Sequence, residues 1–310
     1  MPSASLTRAP DERVAPLASI PFWLLHLAPL AAIWTGTRWQ DWVLCGVLYY
    51  ARMFFITAGY HRYFAHRAYE LGRGMQFVMA AGGSTAMQKG VLWWAGHHRH
   101  HHRHSDDAID IHSPRRGFFW SHVGWFLCTK HDATPLDRIK DFAKYPELRW
   151  LDRHPLVPAS ALALACWAWG GTSAVLIGFV LSTVLLYHGT FTINSLAHVW
   201  GARRYATRDD SRNNFWLALL TLGEGWHNNH HYYQSTANQG FFWWEVDVSY
   251  YLLRLLSWVG LARGLRTPPA HVLGANRVNG APEAPLAERV LGLAHTAPPD
   301  GALVAPPLDA

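Results

Sequence analysis

One long uncharged stretch constrains this chain more than any other feature. From Pro155 to Ala202, 48 consecutive residues contain no Asp, Glu, Lys or Arg. A helix needs about 20 mostly apolar residues to cross a bilayer, so this stretch is long enough for two crossings. The Gly-Gly-Thr-Ser sequence at 170–173 predicts the turn between them. We therefore expect two membrane spans, at about 155–170 and 174–198.

Two more apolar segments lie nearer the N-terminus, at about 18–35 and 42–60. They are separated by a short link around Arg38, and the second is interrupted only by Arg52. The charged fraction is 15%, against about 25% in a typical soluble domain. This composition excludes a disordered chain, a fibrous repeat and a disulfide-stapled secreted domain, and it disfavours a soluble enzyme. The expected fold is an all-α integral membrane protein with four transmembrane helices in two hairpins.

Basic residues predict the orientation of these spans. Residues 61–154 contain 14 Lys and Arg, residues 203–310 contain nine, and the hairpin tips contain only Arg38. The positive-inside rule then places both termini and the large central loop in the cytoplasm. The basic character indicates topology and attraction to lipid headgroups, with no nucleic-acid partner. We expect a membrane domain over 18–266, a disordered N-terminus over 1–17 and a Pro/Ala-rich disordered tail over 267–310.

The 20 histidines cluster just outside the predicted spans. In a helix, positions i, i+3 and i+4 share one face. His227, His230 and His231 fit this spacing, and Asn194 and His198 also share a face. The run HHRHHHRH at 97–104 fits it in two registers. These registers are His98, His101 and His102, or His97, His100 and His101.

The first two clustered histidines have a different spacing. His61 and His66 are five residues apart, roughly 140° around an α-helix, so they need a helix end or two separate targets. An even number of crossings places all four histidine-containing stretches on one side of the membrane. We therefore expect a cytoplasmic helical cap on this side, in which these histidines lie close together.

Such a set of histidines indicates a metal centre. Imidazole suits zinc, copper, iron and nickel, and nine matching histidines exceed the needs of one ion. They suit two ions with four or five ligands each. The alternatives are a solvated, nonspecific metal-binding loop and a non-catalytic metal transporter or sensor. A transporter predicts polar residues within the spans, and the uncharged stretch offers only His188, Asn194 and His198 besides small hydroxyls.

Three histidine boxes resemble those of the integral-membrane fatty-acyl desaturases of the stearoyl-CoA delta-9 type. The boxes are HRYFAH at 61–66, HRHHH at 98–102 and HNNHH at 227–231. Flanking sequences are also similar to the family: ITAGYHR, SDDAIDIHSP, NSLAH and GEGWHNNHH. The family's second box reads H-R-x-H-H with a serine three residues later. His98 to His102 and Ser105 match that pattern, so the resemblance favours this register.

The resemblance implies a site that holds two iron ions. The implied ligands are His61, His66, His98, His101, His102, His198, His227, His230 and His231, with Asn194 acting through a water. His97, His100 and His104 would then lie outside the ligand set, and His112 would be structural. No separate protein acid or base and no organic cofactor is implied.

The implied activity is insertion of a cis double bond, at the delta-9 position, into a saturated fatty-acyl chain with O2 as co-substrate. The alternative is a diiron fatty-acid hydroxylase or oxidative decarboxylase on the same scaffold. Electrons would come from a ferredoxin or a cytochrome b5-like protein with its reductase. Candidate docking residues are Arg115, Arg116, Arg203 and Arg204. Animal acyl-CoA desaturases carry Arg-Asp where this chain has Gly96 and His97, and this departure disfavours a CoA thioester as the substrate. The alternatives to a CoA thioester are an acyl chain linked to a lipid or to a carrier protein, and a free fatty acid.

Overall fold

The computed structural model describes residues 5–278, and this part of the chain is mainly helical. The α-helices are α1 Pro16–Leu27, α2 Ala32–Thr35, α3 Trp39–Phe54, α4 Arg73–Ser84, α5 Val91–His104, α6 Lys140–Ala143, α7 Pro146–Arg153, α8 Leu156–Ser173, α9 Ser182–Asn194, α10 Phe215–Leu220, α11 His227–Tyr232, α12 Val248–Trp258 and α13 Ala270–Gly274. Three segments are π-helices: π1 Phe55–Ala65, π2 Trp120–Gly124 and π3 Ala174–Leu181.

Short 3₁₀ helices and one small sheet complete the architecture. The 3₁₀ helices are Ala28–Ala31, Pro114–Arg116, Thr129–His131, Leu136–Arg138 and Leu196–His198. Two antiparallel strands, β1 Glu70–Leu71 and β2 Ala262–Arg263, pair with Glu70 opposite Arg263. The sheet joins the end of the first histidine stretch to the segment after α12.

Three helical runs are long and apolar enough to cross a membrane, where the sequence predicted four spans. They are Pro16–Thr35, Trp39–Ala65 and Leu156–His198, of 20, 27 and 43 residues. The third run covers both spans predicted from the uncharged stretch. The second is longer than the predicted 42–60 because π1 continues α3 as far as Ala65.

The third run contains a break at Gly171. Its φ of 67° and ψ of −155° are non-helical, and this backbone conformation favours glycine. On either side of the break, Ala159 and Cys166 of α8 belong to the same apolar cluster as Phe179 and Val180 of π3. The two halves of the run therefore pack against each other.

The termini were predicted to be disordered over 1–17 and 267–310. Residues 1–4 and 279–310 lie outside the described residues. Of the remainder, Leu6 donates its backbone N–H to the carbonyl of Arg115 at 2.8 Å, and α13 lies at 270–274. A backbone hydrogen bond also joins Val278 to the carbonyl of Arg204 at 2.9 Å. The described terminal residues therefore contact the domain.

Arg52 is fully buried within the second membrane-spanning candidate. Its guanidinium donates to the carbonyls of Leu48, Thr85 and Phe179 and to the hydroxyls of Ser182 and Thr183. The Arg52 to Thr183 bond is 2.7 Å long. These bonds join α3 to the end of α4, to π3 and to α9. All these acceptors are neutral, so within residues 5–278 Arg52 is held by hydrogen bonds and forms no ion pair, and it does not snorkel to the surface.

This environment predicts an unusual order of stability among Arg52 variants. A lysine keeps the buried charge but has only three donors and a more strongly hydrated head, whereas methionine removes the charge. We expect Arg52→Lys to lower the free energy of unfolding by about 2–4 kcal/mol, and more than Arg52→Met does. Thermal unfolding of the detergent-solubilised protein measures this, with the exposed Arg254→Lys as the control. A larger loss for methionine than for lysine would contradict the prediction.

Candidate metal centre

Helix α5 carries the second histidine box. Its N-terminus is capped by Asp152, whose Oδ1 accepts the backbone N–H groups of Leu92 at 3.0 Å and Trp93 at 2.9 Å. The cap satisfies two of the N–H groups that a helix start leaves free, and it ties α5 to α7. Because α5 continues to His104, the second box lies on a regular helix. His98, His101 and His102, at positions i, i+3 and i+4, therefore lie on one side of it.

The first histidine box lies on the π-helix π1 and its end. The backbone N–H of His66 donates to the carbonyl of His61 at 3.2 Å, which is the i to i+5 bond of a π-helix. This winding brings residues five apart towards the same side. The HX4H spacing that does not fit an α-helix therefore directs both side chains to one target, and their ring centroids are 4.8 Å apart.

Five histidines from three distant stretches form one group, here called the five-histidine group. It consists of His61, His66, His98, His102 and His230. The Nε2 atoms face each other in pairs: His61 and His230 at 3.0 Å, His66 and His98 at 3.1 Å, and His102 and His230 at 3.0 Å. In each of these pairs both rings direct the same nitrogen, Nε2, towards the partner. A cation bound between the rings requires this arrangement.

A second cluster, the four-histidine group, lies beside the first. It consists of His101, His198, His227 and His231, all buried. The Nε2 atoms of His198 and His227 are 3.0 Å apart, and the ring centroids of His102 and His231 are 4.4 Å apart across the two groups. The structure thus brings together all nine histidines of the predicted ligand set, in groups of five and four.

Carboxylates hold the outer edge of the four-histidine group. The Nδ1 atoms of its histidines contact Asp110 at 3.0 Å from His101, Asp106 at 2.9 Å from His198 and Asp209 at 2.7 Å from His231. A carboxylate on one ring nitrogen fixes the tautomer that leaves the other nitrogen free for a metal. Burial alone would raise the pKa of Asp209, but the His231 imidazole holds that pKa well below its usual range.

The five-histidine group has fewer charged neighbours. Glu224 Oε2 lies 2.6 Å from His61 Nδ1, and the Gln239 amide nitrogen lies 3.3 Å from His230 Nδ1. Glu224 is itself held by the fully buried Arg62, which also binds Asp247 at 2.9 Å. The two groups therefore differ, since three carboxylates face four histidines in one and a single carboxylate faces five in the other.

For five of the nine imidazoles the surroundings favour the neutral form, which metal binding requires. Burial, together with neighbouring imidazoles, lowers the pKa values of His66, His98 and His102 well below the ordinary value. The same causes lower the pKa values of His227 and His230. Buried His102 Nδ1, His227 Nδ1 and His231 Nε2 have no hydrogen-bond partner in the described chain. Clustered neutral imidazoles with spare nitrogens fit transition-metal ions such as iron.

The other residues singled out from the sequence are not members of these two groups. His100 Nε2 contacts the Ile109 carbonyl at 3.0 Å, and His104 packs against His100. His97 and Asn194 line a cavity, as does His112. His112 also forms a third possible metal-binding set with Asp110 and His101, which it shares with the four-histidine group.

A cavity of about 510 Å³ reaches the five-histidine group. His98 and Asn194 form part of its wall, and so do Phe22 of α1 and Tyr187 of α9. Most of its other lining residues are apolar. An apolar cavity with a metal-binding group in its wall can hold a hydrocarbon chain beside a reactive centre.

Sequence reasoning missed the carboxylates that position the histidines. Asp106 and Asp110 lie in the motif SDDAIDIHSP and Glu224 lies in GEGWHNNHH, so their place beside a histidine box was an available signal. Asp209 had no such signal. It follows α9 by fifteen residues, and only the folded chain brings it against His231.

Comparison with known proteins agrees with this geometry. The sequence matches the profile of the family described as "Fatty acid desaturase" over residues 37–269. It is 36% identical over 257 residues to the "sn-2 palmitoyl-lipid 9-desaturase" of Nostoc sp. (strain 36), covering 80% of this chain and 89% of that protein. It is 34% identical over 215 residues to the "sn-1 stearoyl-lipid 9-desaturase" of Synechocystis sp., covering 69% and 68% of the two chains.

A relative named for a different acyl carrier, CoA, has a similar sequence identity to this chain. The "Acyl-CoA C20 Delta5-desaturase" of Anemone leveillei is 34% identical over 248 residues, 79% of each chain. The family profile covers most of the sequence, including all three histidine boxes, and these relatives match 69–80% of the chain. This chain therefore belongs to the fatty acid desaturase family, and it is an oxidoreductase that acts on fatty-acyl groups.

Proposed function

We propose that this chain inserts a cis double bond at the 9 position of a saturated, lipid-linked acyl chain, using two iron ions held by the two histidine groups. The observation that carries the proposal is the position of His98, a member of the five-histidine group, in the wall of the apolar cavity. Two of the relatives are named as lipid 9-desaturases, which supports both the position and the carrier.

The histidine spacing fits metal coordination. The facing Nε2 atoms lie 3.0–3.1 Å apart, so one ion could contact both nitrogens of a pair. We assign the five-histidine group to one iron and the four-histidine group to the other. Asn194 would act on the second iron through a water.

When bound, the two irons would supply the oxidising power to remove two hydrogen atoms from unactivated methylene groups, with O2 and external electrons consumed. The chain's own residues hold the substrate in place. Trp94 stacks on His98 with ring centroids 4.9 Å apart, and Gln88 donates to the Thr190 hydroxyl at 2.8 Å across the cavity wall. These contacts lock the wall beside the metal group, exclude water and keep one carbon pair of the chain next to it.

The membrane topology belongs to the same proposal. The break at Gly171 and the packing of α8 on π3 support two crossings within the 43-residue run, which makes four in total. The membrane domain would extend over 18–266, with the described loop regions forming a cytoplasmic cap around the histidine groups. Both termini would lie in the cytoplasm, beside the basic central loop.

Electrons would come from an external ferredoxin or cytochrome b5-like donor at the cytoplasmic face. Three of the four arginines expected to contact it form ion pairs within the chain. Arg115 binds Asp210 at 2.8 Å, Arg116 binds Glu12 at 2.6 Å, and Arg204 binds Glu245. Arg203 instead donates a hydrogen bond to the Thr207 carbonyl at 2.8 Å. Among the four arginines, Arg203 is therefore the favoured contact for the electron-donor protein.

Expression in a host that lacks its own desaturase tests the activity. We expect aerobic cultures to accumulate cis-9 monounsaturated acyl chains in membrane lipid, identified by mass spectrometry of derivatised double bonds. Cells grown without O2, or cells expressing the His102→Ala variant, should accumulate none. A hydroxylated product would support the hydroxylase alternative, and an alkene one carbon shorter would support the decarboxylase. Either result would contradict the proposal.

A further inference from the structure

A third set of metal-binding side chains lies beside the four-histidine group. It consists of His101, Asp110 and His112, all buried, and one ligand atom from each residue lies within 4.8 Å of the other two. The set shares only His101 with the two groups described above. Two imidazoles and one carboxylate are the ligands of many non-haem Fe2+ sites, and they leave further coordination positions open. The chemistry of the set therefore fits a divalent transition-metal ion such as Fe2+.

Asp110 links the two histidines of this set. Its carboxylate lies 3.0 Å from His101 Nδ1, and it accepts the backbone N–H groups of His112 at 3.2 Å and Asp106 at 2.9 Å. The rings of His101 and His112 are 4.1 Å apart, centroid to centroid. The fully buried carboxylate is thus held in a fixed position, and both imidazoles lie beside it.

The His112 side chain is not used by the surrounding protein. It is 3% exposed, its Nδ1 is buried, and neither ring nitrogen forms a hydrogen bond of normal geometry within residues 5–278. The backbone of His112 itself approaches the ring, at a geometry outside that of a hydrogen bond. A buried polar group without a partner is costly, and a cation bound to the imidazole removes this cost.

His112 also connects the apolar cavity to the four-histidine group. His98, of the five-histidine group, lies in the cavity wall, whereas the described lining residues include no member of the four-histidine group. His112 lies in that wall, and its ring is in contact with His101. An ion that enters through the cavity therefore reaches the five-histidine group at His98, and it meets His112 before the four-histidine group.

The third set and the four-histidine group cannot use His101 at the same time. A neutral imidazole binds a metal through one nitrogen, because the other carries the proton. An ion in the four-histidine group takes His101 Nε2, since Nδ1–H donates to Asp110 in that state. An ion bound by Asp110 takes His101 Nδ1 instead. An ion in the third set is therefore bound before the four-histidine group is filled, and is not retained as a third permanent ion.

We propose that His101, Asp110 and His112 form a loading site, which binds a divalent cation first and passes it to the four-histidine group. This inference rests on the proposed function, because it requires that the four-histidine group holds an ion. The transfer changes only coordination bonds and the position of one proton. Asp110 and His112 release the ion, the other three histidines of the group bind it, and the proton of His101 moves from Nε2 to Nδ1. No electron and no net proton is transferred.

The rate at which the full-length protein binds metal tests the inference. A chelator removes metal from the detergent-solubilised protein, Co2+ is added without O2, and the visible absorption of bound Co2+ is followed with time. We expect wild type and His112→Leu to bind two ions at equilibrium, but His112→Leu to bind the second ion at least about 10-fold more slowly. His131→Leu is the matched control, because it also removes a buried imidazole with an unbonded nitrogen but lies outside all three sets.

A second variant reports contact between the ion and position 112 directly. His112→Cys keeps a metal ligand at this position, and a thiolate bound to Co2+ has a charge-transfer band in the near ultraviolet. We expect this band to appear early during loading and to disappear as the second ion reaches the four-histidine group. The wild type, whose free Cys128 also lines the cavity, provides the background. A purely structural role of His112 would not produce such a transient band.

The outcomes separate this inference from the proposed function. Equal loading rates in wild type and His112→Leu, or no transient band in His112→Cys, would overturn the inference. A His112→Leu protein that binds only one ion at equilibrium would overturn it too, because His112 would then be needed for the final site. A wild-type protein that binds fewer than two ions at saturation would instead count against the proposed function, whatever the loading rates are.

Discussion

Replacing His102 with alanine is expected to reduce bound iron from two ions per chain to about one or fewer and to lower desaturation by at least about 100-fold. His102 Nε2 faces His230 Nε2 at 3.0 Å in the five-histidine group, and its ring also packs against His66 and His98. Alanine removes a ligand and opens a gap among the remaining imidazoles. Changes even to residues that only support ligands cost 10–100-fold in metal affinity, so loss of a ligand should cost more.

The matched control for this experiment lies on the same helix. His100 belongs to the alternative register of the second box, and its Nε2 contacts the Ile109 carbonyl away from both groups. His100→Ala should therefore retain two irons and most of the activity. Metal analysis of the purified variants tests which of the two registers of the second histidine box binds iron. Loss of iron from His100→Ala combined with full iron in His102→Ala would show that the assigned ligand set is wrong.

The Asp209→Asn substitution is expected to weaken iron binding in the four-histidine group alone. Asp209 accepts from His231 Nδ1 at 2.7 Å, and this charge-assisted bond both orients the ring and raises its basicity. An amide oxygen still accepts a hydrogen bond but carries no charge. We expect a 10–100-fold lower affinity for one iron, so that a chelator removes one ion per chain at concentrations that leave both ions in the wild type.

Spectroscopy identifies which iron is affected. Mössbauer spectra of the wild type should contain two components of equal area, and Asp209→Asn should alter or remove one of them. The neighbouring Asp210→Asn is the control, because the Asp210 side chain binds Arg115 at the surface and its backbone N–H, which contacts Asp106, is unchanged. Equal effects on both components, or the same effect from Asp210→Asn, would contradict an individual role for Asp209.

Local sequence patterns predicted much of the scaffold. The apolar runs predicted the membrane-spanning candidates, although the structure gives three continuous helical runs where four separate spans were expected. From Ala159 to His198 the uncharged stretch contains no proline, so its two halves remain one run with a break at Gly171. The spacing rule for α-helices described α5 and α11 well because each is regular where it carries its histidines.

The same rule does not describe the segment whose backbone departs from α-geometry. The five-residue spacing of His61 and His66 suggested separate targets or a helix end, and His66 lies at the end of π1, whose winding directs both rings towards one group. Apolar periodicity does not reveal such a segment, since the composition of π1 resembles that of the α-helix before it. A π-helix forms here within a densely packed environment, which local propensity does not describe.

The sequence by itself determined which side chains can bind metal and that they lie near the ends of apolar segments, because residue chemistry and helical spacing are local properties. Only the tertiary structure decided the division into groups of five and four, the three aspartates behind the smaller group and the apolar cavity that reaches His98. These features are contacts between segments far apart in the chain. Their formation depends on how whole helices pack, since burial makes each unpaired polar group costly and so selects the arrangement in which carboxylates, imidazoles and cations meet.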